Sequence, residues 1–545
     1  MSVSRGLVLT ALCGMSLGIL FPASSSAQVY EDARRSLDLA PDPIARSPRL
    51  TGMGRLTLAD DAHNRLSLWD FAANPTGVFD ADSASTFALR PGTSASAARH
   101  TPAAGRERQY LGSRELKMGY EAWRRTEEGS TYGVIGEAAS LRTHRPFSDD
   151  SEIRGTFREP RLVAILNGKM PYIQSERTRY ALTASYVSEK RVDEYRTRFS
   201  NAVGDYLGRS GDILPPPDFF TPVERRASTV GGGAGVSHVL APWLTTALVL
   251  RLSSSRLEGE NSSVIHFAGT GENRSTFGVQ ASAVGRGIPL LGWATPKLPL
   301  EWIYDIQTWT ATSEDRWVFT LKAGINQDPF SGRGKLLDRD EDGLAQRLRL
   351  RWAQGALVLG ASYDGWLSKI KITPPAADDF SSFNYFRNLA ANRDGADSLA
   401  LPDSVTFNRS EENRWNSAFG ATWKLARGTV GAEYHIAEEK LEQTLAGEGP
   451  QRQVWDVRTG LEWMFTSSFL GRVGYIYRSD DRDLLTQRNE FTGHSTTWGI
   501  GLVPKGSIWG LDVGYVVEWL SPDYDDPDDP RESRQLMAAQ VHWTF

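Results

Sequence analysis

The sequence predicts an all-β protein, a transmembrane antiparallel outer-membrane β-barrel of about 18 strands, within a range of about 16 to 20. Three observations carry this. Apolar and polar residues alternate with period two over most of the second half. The 17 Trp, 17 Tyr, 22 Phe and 51 Gly are spread along a chain with no second long apolar run after its N-terminus. Only one face of a barrel strand meets lipid, so hydropathy averages out along it. The third observation is the closing stretch "LMAAQVHWTF", in which every second residue back from Phe545 is apolar: Trp543, Val541, Ala539 and Met537.

Individual strands show the alternation plainly. "WDVRTGLEWMF" sets Trp455, Val457, Leu461, Trp463 and Phe465 against Asp456, Arg458, Gly460 and Glu462. "IWGLDVGYVVEWL" opposes Trp509, Leu511, Val513, Tyr515, Val517 and Trp519 to Asp512, Gly514 and Glu518. The stretches "RWNSAFGATWK" and "VGAEYHIAE" do the same, with Glu433 and His435 on the polar side of the latter. Tryptophans fall near both ends of the apolar faces, spaced about as widely as the roughly 9–11 residues a tilted strand needs to cross. A soluble sandwich rarely does this. Aromatic girdles at two membrane interfaces require it.

Connections alternate in length. Short turns stand at 353–355, 425–428, 466–468 and 504–506, and long polar connections at 371–411, 439–452, 479–490 and 521–532. Short periplasmic turns and long extracellular loops are the rule for these barrels. Nine strands are read from residue 342 onward and ten upstream, the latter including 84–91, 298–310 and 315–325. That total is odd where an even number is required, so one upstream segment is misread, either 84–91 or one within 298–341. The last strand resembles the C-terminal signal read by the barrel-assembly machinery, with Phe545, Trp543 and Val541 as its residues. That resemblance implies the machinery as a biogenesis partner.

The opening "MSVSRGLVLTALCGMSLGILFPASSSAQ" has one basic residue, an uncharged apolar stretch and a small-residue exit. It reads as a signal peptide, residues 1–27, cleaved after Ala27, and so predicts export from a Gram-negative cytoplasm to the outer membrane. Cys13 is the single cysteine. Its removal excludes disulfides, thiolate metal sites and cysteine nucleophiles from the exported chain. Loss of the peptide takes away Arg5 and no acid, so the net charge of −5 becomes slightly more negative, which excludes a nucleic-acid footprint.

Residues 28–108 are Pro-, Ala- and Ser-rich at both ends and alternate little; the barrel is expected over 109–545. Between those ends stand Gly52-x-Gly54, Ala59-Asp60-Asp61-Ala62 and Asn74-Pro75-x-Gly77-Val78. This pattern resembles the N-terminal segment of the long-chain fatty acid transporter family of outer-membrane barrels. Thr76 departs from the alanine usual there, and the gap after the acidic pair is longer. The resemblance implies an N-terminal hatch or plug inside a monomeric barrel, with Asn74, Pro75 and Gly77 as hatch residues and a hydrophobic cargo. A periplasmic segment with an Asn-Pro turn is the alternative.

Two constellations could bind ions. In "QRLRLRW" alternation turns Leu348, Leu350 and Trp352 to lipid and makes Arg347, Arg349 and Arg351 lumen-lining. Such a row would favour anions, unless carboxylates on facing strands pair with it. "DRDEDG" spaces Asp338, Asp340 and Asp342 as in a Ca²⁺ loop, although Arg349 stands where the twelfth-position Glu should be. No histidine has a serine two positions on, as a barrel phospholipase would need, and His494 and Ser495 project to opposite faces. The protein is therefore read as no enzyme. The expected function is passage of a small molecule across the outer membrane, with outer-membrane lipid and lipopolysaccharide as surroundings. A general porin with an anion-influenced lumen is one alternative, and a surface barrel acting through its long loops as adhesin or receptor is the other.

Overall fold

The computed structural model describes residues 48–53, 55–56, 85–100, 109–126, 130–148, 151–169, 177–197, 219–262, 266–287, 299–321, 330–373, 409–443, 451–483, 488–522 and 531–544. A short helix, α1 (Pro48–Gly52), precedes 18 strands. The first nine are β1 (Ser85–His100), β2 (Gln109–Arg125), β3 (Thr131–Ser148), β4 (Ser151–Lys169), β5 (Thr178–Thr197), β6 (Phe219–Ala241), β7 (Leu244–Ser262), β8 (His266–Arg286) and β9 (Leu300–Leu321). The second nine are β10 (Phe330–Gln354), β11 (Leu357–Thr373), β12 (Arg409–Leu425), β13 (Gly428–Gln443), β14 (Gln451–Thr466), β15 (Phe469–Asp483), β16 (Arg488–Leu502), β17 (Trp509–Pro522) and β18 (Arg531–Thr544).

Each strand pairs with its sequence neighbours, and β1 also pairs antiparallel with β18, Phe87 opposite Trp543. The sheet is closed, so it has no free edge, and every strand ladder is satisfied within the protein. A sheet must meet that condition to cross hydrocarbon. Its outer face is apolar: Leu116, Leu162, Leu182, Leu252, Phe419, Val473 and Trp498 are all exposed. A lateral row of rings, Phe419, Tyr434, Trp455 and Tyr477, runs across β12 to β15 on that face with centroids 5.2–6.3 Å apart. The acids read as inward do face in, for Glu433, Asp456, Glu462 and Glu518 are all buried.

The short turns fall where the sequence puts them. Gly355 and Gly506 adopt positive φ of 61° and 76° at the turns after β10 and β16, which a side chain would strain.

Three expectations are corrected. The barrel begins at Ser85 rather than 109, because β1 lies within the region read as hatch or periplasmic segment. The surplus strand was made by dividing β9. Residues 298–310 and 315–325 are largely one strand of 22 residues, whose polar Ser313-Glu314-Asp315 reads as a turn but pairs with β8 without a break, and with β10 across a single bulge between Lys335 and Leu337. "DRDEDG" is not a loop. It lies inside β10, where Asp340 and Asp342 stand opposite Lys371 and Lys369 of β11. Consecutive same-face residues on a strand are about 6.5–7 Å apart, so the three carboxylates cannot converge on one ion as in a curled Ca²⁺ loop.

Candidate functional site in the barrel interior

The inner wall is polar, with ion pairs concentrated on its later strands. From β8 round to β18 it is ionic. Register sets acids beside bases, and the pairs follow: Arg274 to Glu341 at 2.7 Å, Arg458 to Asp456 at 2.6 Å, Arg478 to Glu518 at 2.9 Å. Arg472 bridges Glu462 at 2.7 Å and Asp512 at 2.6 Å. Of the arginine row, Arg347 donates to Asp364 at 2.8 Å and Arg351 to Glu301 at 3.1 Å. Arg349 stands between them, exposed and in register with Ser362 and Ile303. Two of the three guanidiniums are thus neutralised by neighbouring strands, which weakens the field that a row of free cations would put on the pore.

β3 to β7 add an aliphatic cluster to an otherwise polar inner face, which also carries buried Asn167, Glu189 and Arg251. Ile135, Val163 and Val249 have no exposed surface, and Val187 only 2%. Ile135 lies in register with Val163, and Ile165 two positions further on is also buried. On β4 the outward Leu162 and Leu166 are exposed while the inward Val163 and Ile165 are not. This strand is therefore apolar on both faces. The run "LVAIL" at 162–166 already carried that signal, in an absence of the alternation seen elsewhere.

Residues 48–53 and 55–56 lie against the inner wall of β13 to β18. Pro48 opens α1 as a favourable first-turn residue. The helix is closed by a bond from Arg55 N to Leu50 O at 2.8 Å, and Arg55 takes a positive φ of 56°. That reversal brings Leu56 beside Met53, both fully buried. The wall makes room with glycine. Gly431 and Gly460 face each other across β13 and β14, and Gly460 faces Gly474 of β15. A Cβ on Gly431 would stand 2.8 Å from Leu56 Cδ1, and one on Gly460 would collide with the Met53 carbonyl.

Polar contacts fix the segment at both ends. Arg49 Nε and Nη2 donate to Glu462 Oε2 and Oε1, each at 2.8 Å, a bidentate fork. Arg458 Nη1 donates to the Arg55 carbonyl at 2.9 Å. The Arg55 guanidinium lies 3.9 Å from Glu518. Burial pushes its pKa down to about 10 against the pull of Glu518, so it remains charged at neutral pH.

A cavity of about 340 Å³ opens on the inner wall of β8 to β14, bordered by Trp366, Arg347, Asp364, Arg414 and Arg452. Trp366 packs against Trp309 with centroids 4.2 Å apart and the rings tilted by 35°. The Trp309 indole lies flat over Gly343, where a Cβ would overlap the ring. Its Nε1 donates to Glu341 at 3.3 Å. The sequence reading missed this aromatic pair. Trp309 and Trp366 sit on different strands, and only the register brings them together.

Asn74, Pro75, Gly77 and Phe545 lie outside the described residues. Val541 and Trp543 are in β18, with Trp543 against Phe87 of β1 at 5.5 Å between centroids.

A closed 18-stranded barrel with a lipid-facing apolar exterior and a charge-paired interior is a membrane β-barrel of the outer-membrane type. No family model matches the chain, and no curated protein matches it. Among solved structures, the chain is similar to a deltaS2S3 mutant of the monoaromatic hydrocarbon channel TodX, at 10% identity over 88% of this chain and 95% of that one, TM-score 0.37. It is similar to the toluene transporter TbuX of Ralstonia pickettii at 12% identity over 94% and 100% of the two chains, TM-score 0.35. It is also similar to the ferric yersiniabactin uptake receptor FyuA of Yersinia pestis, at 7% identity over 85% and 80%, TM-score 0.42.

Proposed function

We propose that the protein is an outer-membrane channel for a small hydrophobic molecule, with residues 28–84 acting as a hatch inside the barrel. The observation that carries this reading is an inward aliphatic cluster on β3, β4, β5 and β7, Ile135, Val163, Ile165, Val187 and Val249, set among polar neighbours such as Asn167 and Arg251. A water-filled porin keeps a polar interior, and aliphatic side chains there favour an apolar solute or an apolar packing partner. The seat of Met53 and Leu56 on the glycines of β13 and β14 supports the hatch. The N-terminal resemblance implies the same cargo class.

The test uses outer-membrane-like vesicles holding the mature protein and compares entry of toluene with entry of a sugar of similar size. Faster toluene entry than in protein-free vesicles, with little sugar entry, is expected. Rapid sugar entry and a stable open-channel current would make the protein a porin. If neither solute enters faster than in empty vesicles, the surface-barrel reading gains instead.

A further inference from the structure

The segment 48–56 is docked with its charges unbalanced. Arg55 is 4% exposed, and its nearest acid, Glu518, lies 3.9 Å away and already accepts a bond from Arg478 at 2.9 Å. The other nearby carboxylate, Asp456, is forked by Arg458 at 2.6 and 2.9 Å. Glu433, in register with Arg458, is engaged by His435 at 2.9 Å. Against these stand Arg55, Arg458 and Arg478, with Arg534 in register with Glu518 on the inner face. Arg458, Arg478 and Arg534 all lie near enough to Arg55 to repel its charge. The Nε and Nη2 of Arg55 and the Nε of Arg478 are buried and find no hydrogen-bond acceptor among the described residues.

A buried guanidinium without an acceptor is costly, because it has lost its hydration and gained nothing in return. Three donors from two chain segments point to an acceptor that belongs to none of the described residues. We propose that Arg55, Arg478 and Arg534 form an oxyanion site between the docked N-terminal segment and the inner wall of β15 to β18. The ligand is a phosphate or carboxylate group, which offers several acceptor oxygens to guanidinium N–H groups. Arg534, exposed, forms the open side of the site. The ligand's charge offsets the repulsion around Arg55 and so strengthens the seat of the segment. The site depends on that seat and not on passage of any cargo.

Calorimetric titration of the refolded mature protein in detergent, first with inorganic phosphate and separately with hexanoate, tests this. Saturable one-to-one binding of at least one anion is expected, and preference between the two separates a free inorganic ion from an acidic headgroup. Arg55→Gln and Arg534→Gln should each weaken binding about tenfold or more. Glu518→Gln, which removes a competing carboxylate, should tighten it several-fold, a gain that misfolding cannot mimic. The site is overturned by absence of saturable binding with both anions, by affinity unchanged in Arg55→Gln, or by no tightening in Glu518→Gln. Toluene entry is measured separately, so failure of the channel reading leaves these outcomes distinguishable.

Discussion

Gly460 shows what one atom decides in this barrel. Its missing Cβ is the space that the Met53 carbonyl occupies, and Gly431 does the same for Leu56. Gly460→Val therefore overpacks the seat by about 1–3 kcal/mol while leaving the β13–β14 ladder intact. The expected result is a folded barrel in which trypsin cuts after Arg49, half-buried in the parent, or after Arg55, buried there. Continued protection of both bonds would mean that the segment is held elsewhere. Glu462 acts by charge in the same place. Glu462→Gln leaves Arg472 its bond to Asp512 but strips Arg49 of its fork. Loss of one member of a buried pair costs about 3 kcal/mol, so the same cleavage should appear there too. Arg49→Ala should be milder, since Glu462 keeps Arg472. At this scale the sequence was half legible. The inward side of Glu433, Asp456, Glu462 and Glu518 follows from period two alone. The pairing of Glu462 with Arg49 does not, because no local pattern links positions 413 residues apart.

Among the elements, β9 and β10 show where alternation misleads. Above the membrane belt a strand is wetted on its outer face and no longer needs apolar side chains there, so polar stretches such as "TSEDR" and "DRDEDG" look like loops. They pair in the barrel because the ladder hydrogen bonds of one extended strand template the next. The short turns were readable for the opposite reason: they need residues that tolerate tight backbone, as Gly355 and Gly506 do. Strand ends can be assigned to membrane sides by thiol labelling, since the exported chain has no cysteine once Cys13 is removed with the expected signal peptide. Ser398→Cys, in the connection between β11 and β12, should react with an impermeant maleimide on whole cells. Ser467→Cys, in the turn between β14 and β15, should react only after the outer membrane is permeabilised. The reverse pattern would invert the barrel.

For the whole molecule, closure sets what can be removed. Among the described residues β1 links β18 to β2, so a deletion of 28–108 would take out a wall strand and leave two open edges. A deletion of 28–84 spares it. The shorter deletion should give a heat-modifiable, folded barrel whose planar-bilayer conductance exceeds that of the intact protein. The longer one should aggregate, as unpaired strand edges do. Equal conductance of the intact and 28–84-deleted proteins would remove the hatch from the proposed function.

By itself the sequence determined the repeating parts: strands with one greasy and one ionic face, short turns on one side, an aromatic terminal strand and about 18 crossings. Each of these is enforced by local sterics and by which face meets lipid, so each leaves a periodic trace. The tertiary structure alone decided which segments meet. It set β1 against β18, Trp309 against Trp366, Arg49 on Glu462, and gathered an aliphatic cluster on β3 to β7 beside the ion pairs of the later strands. Those contacts arise only when the sheet curls shut and inner faces distant in sequence share one enclosed space.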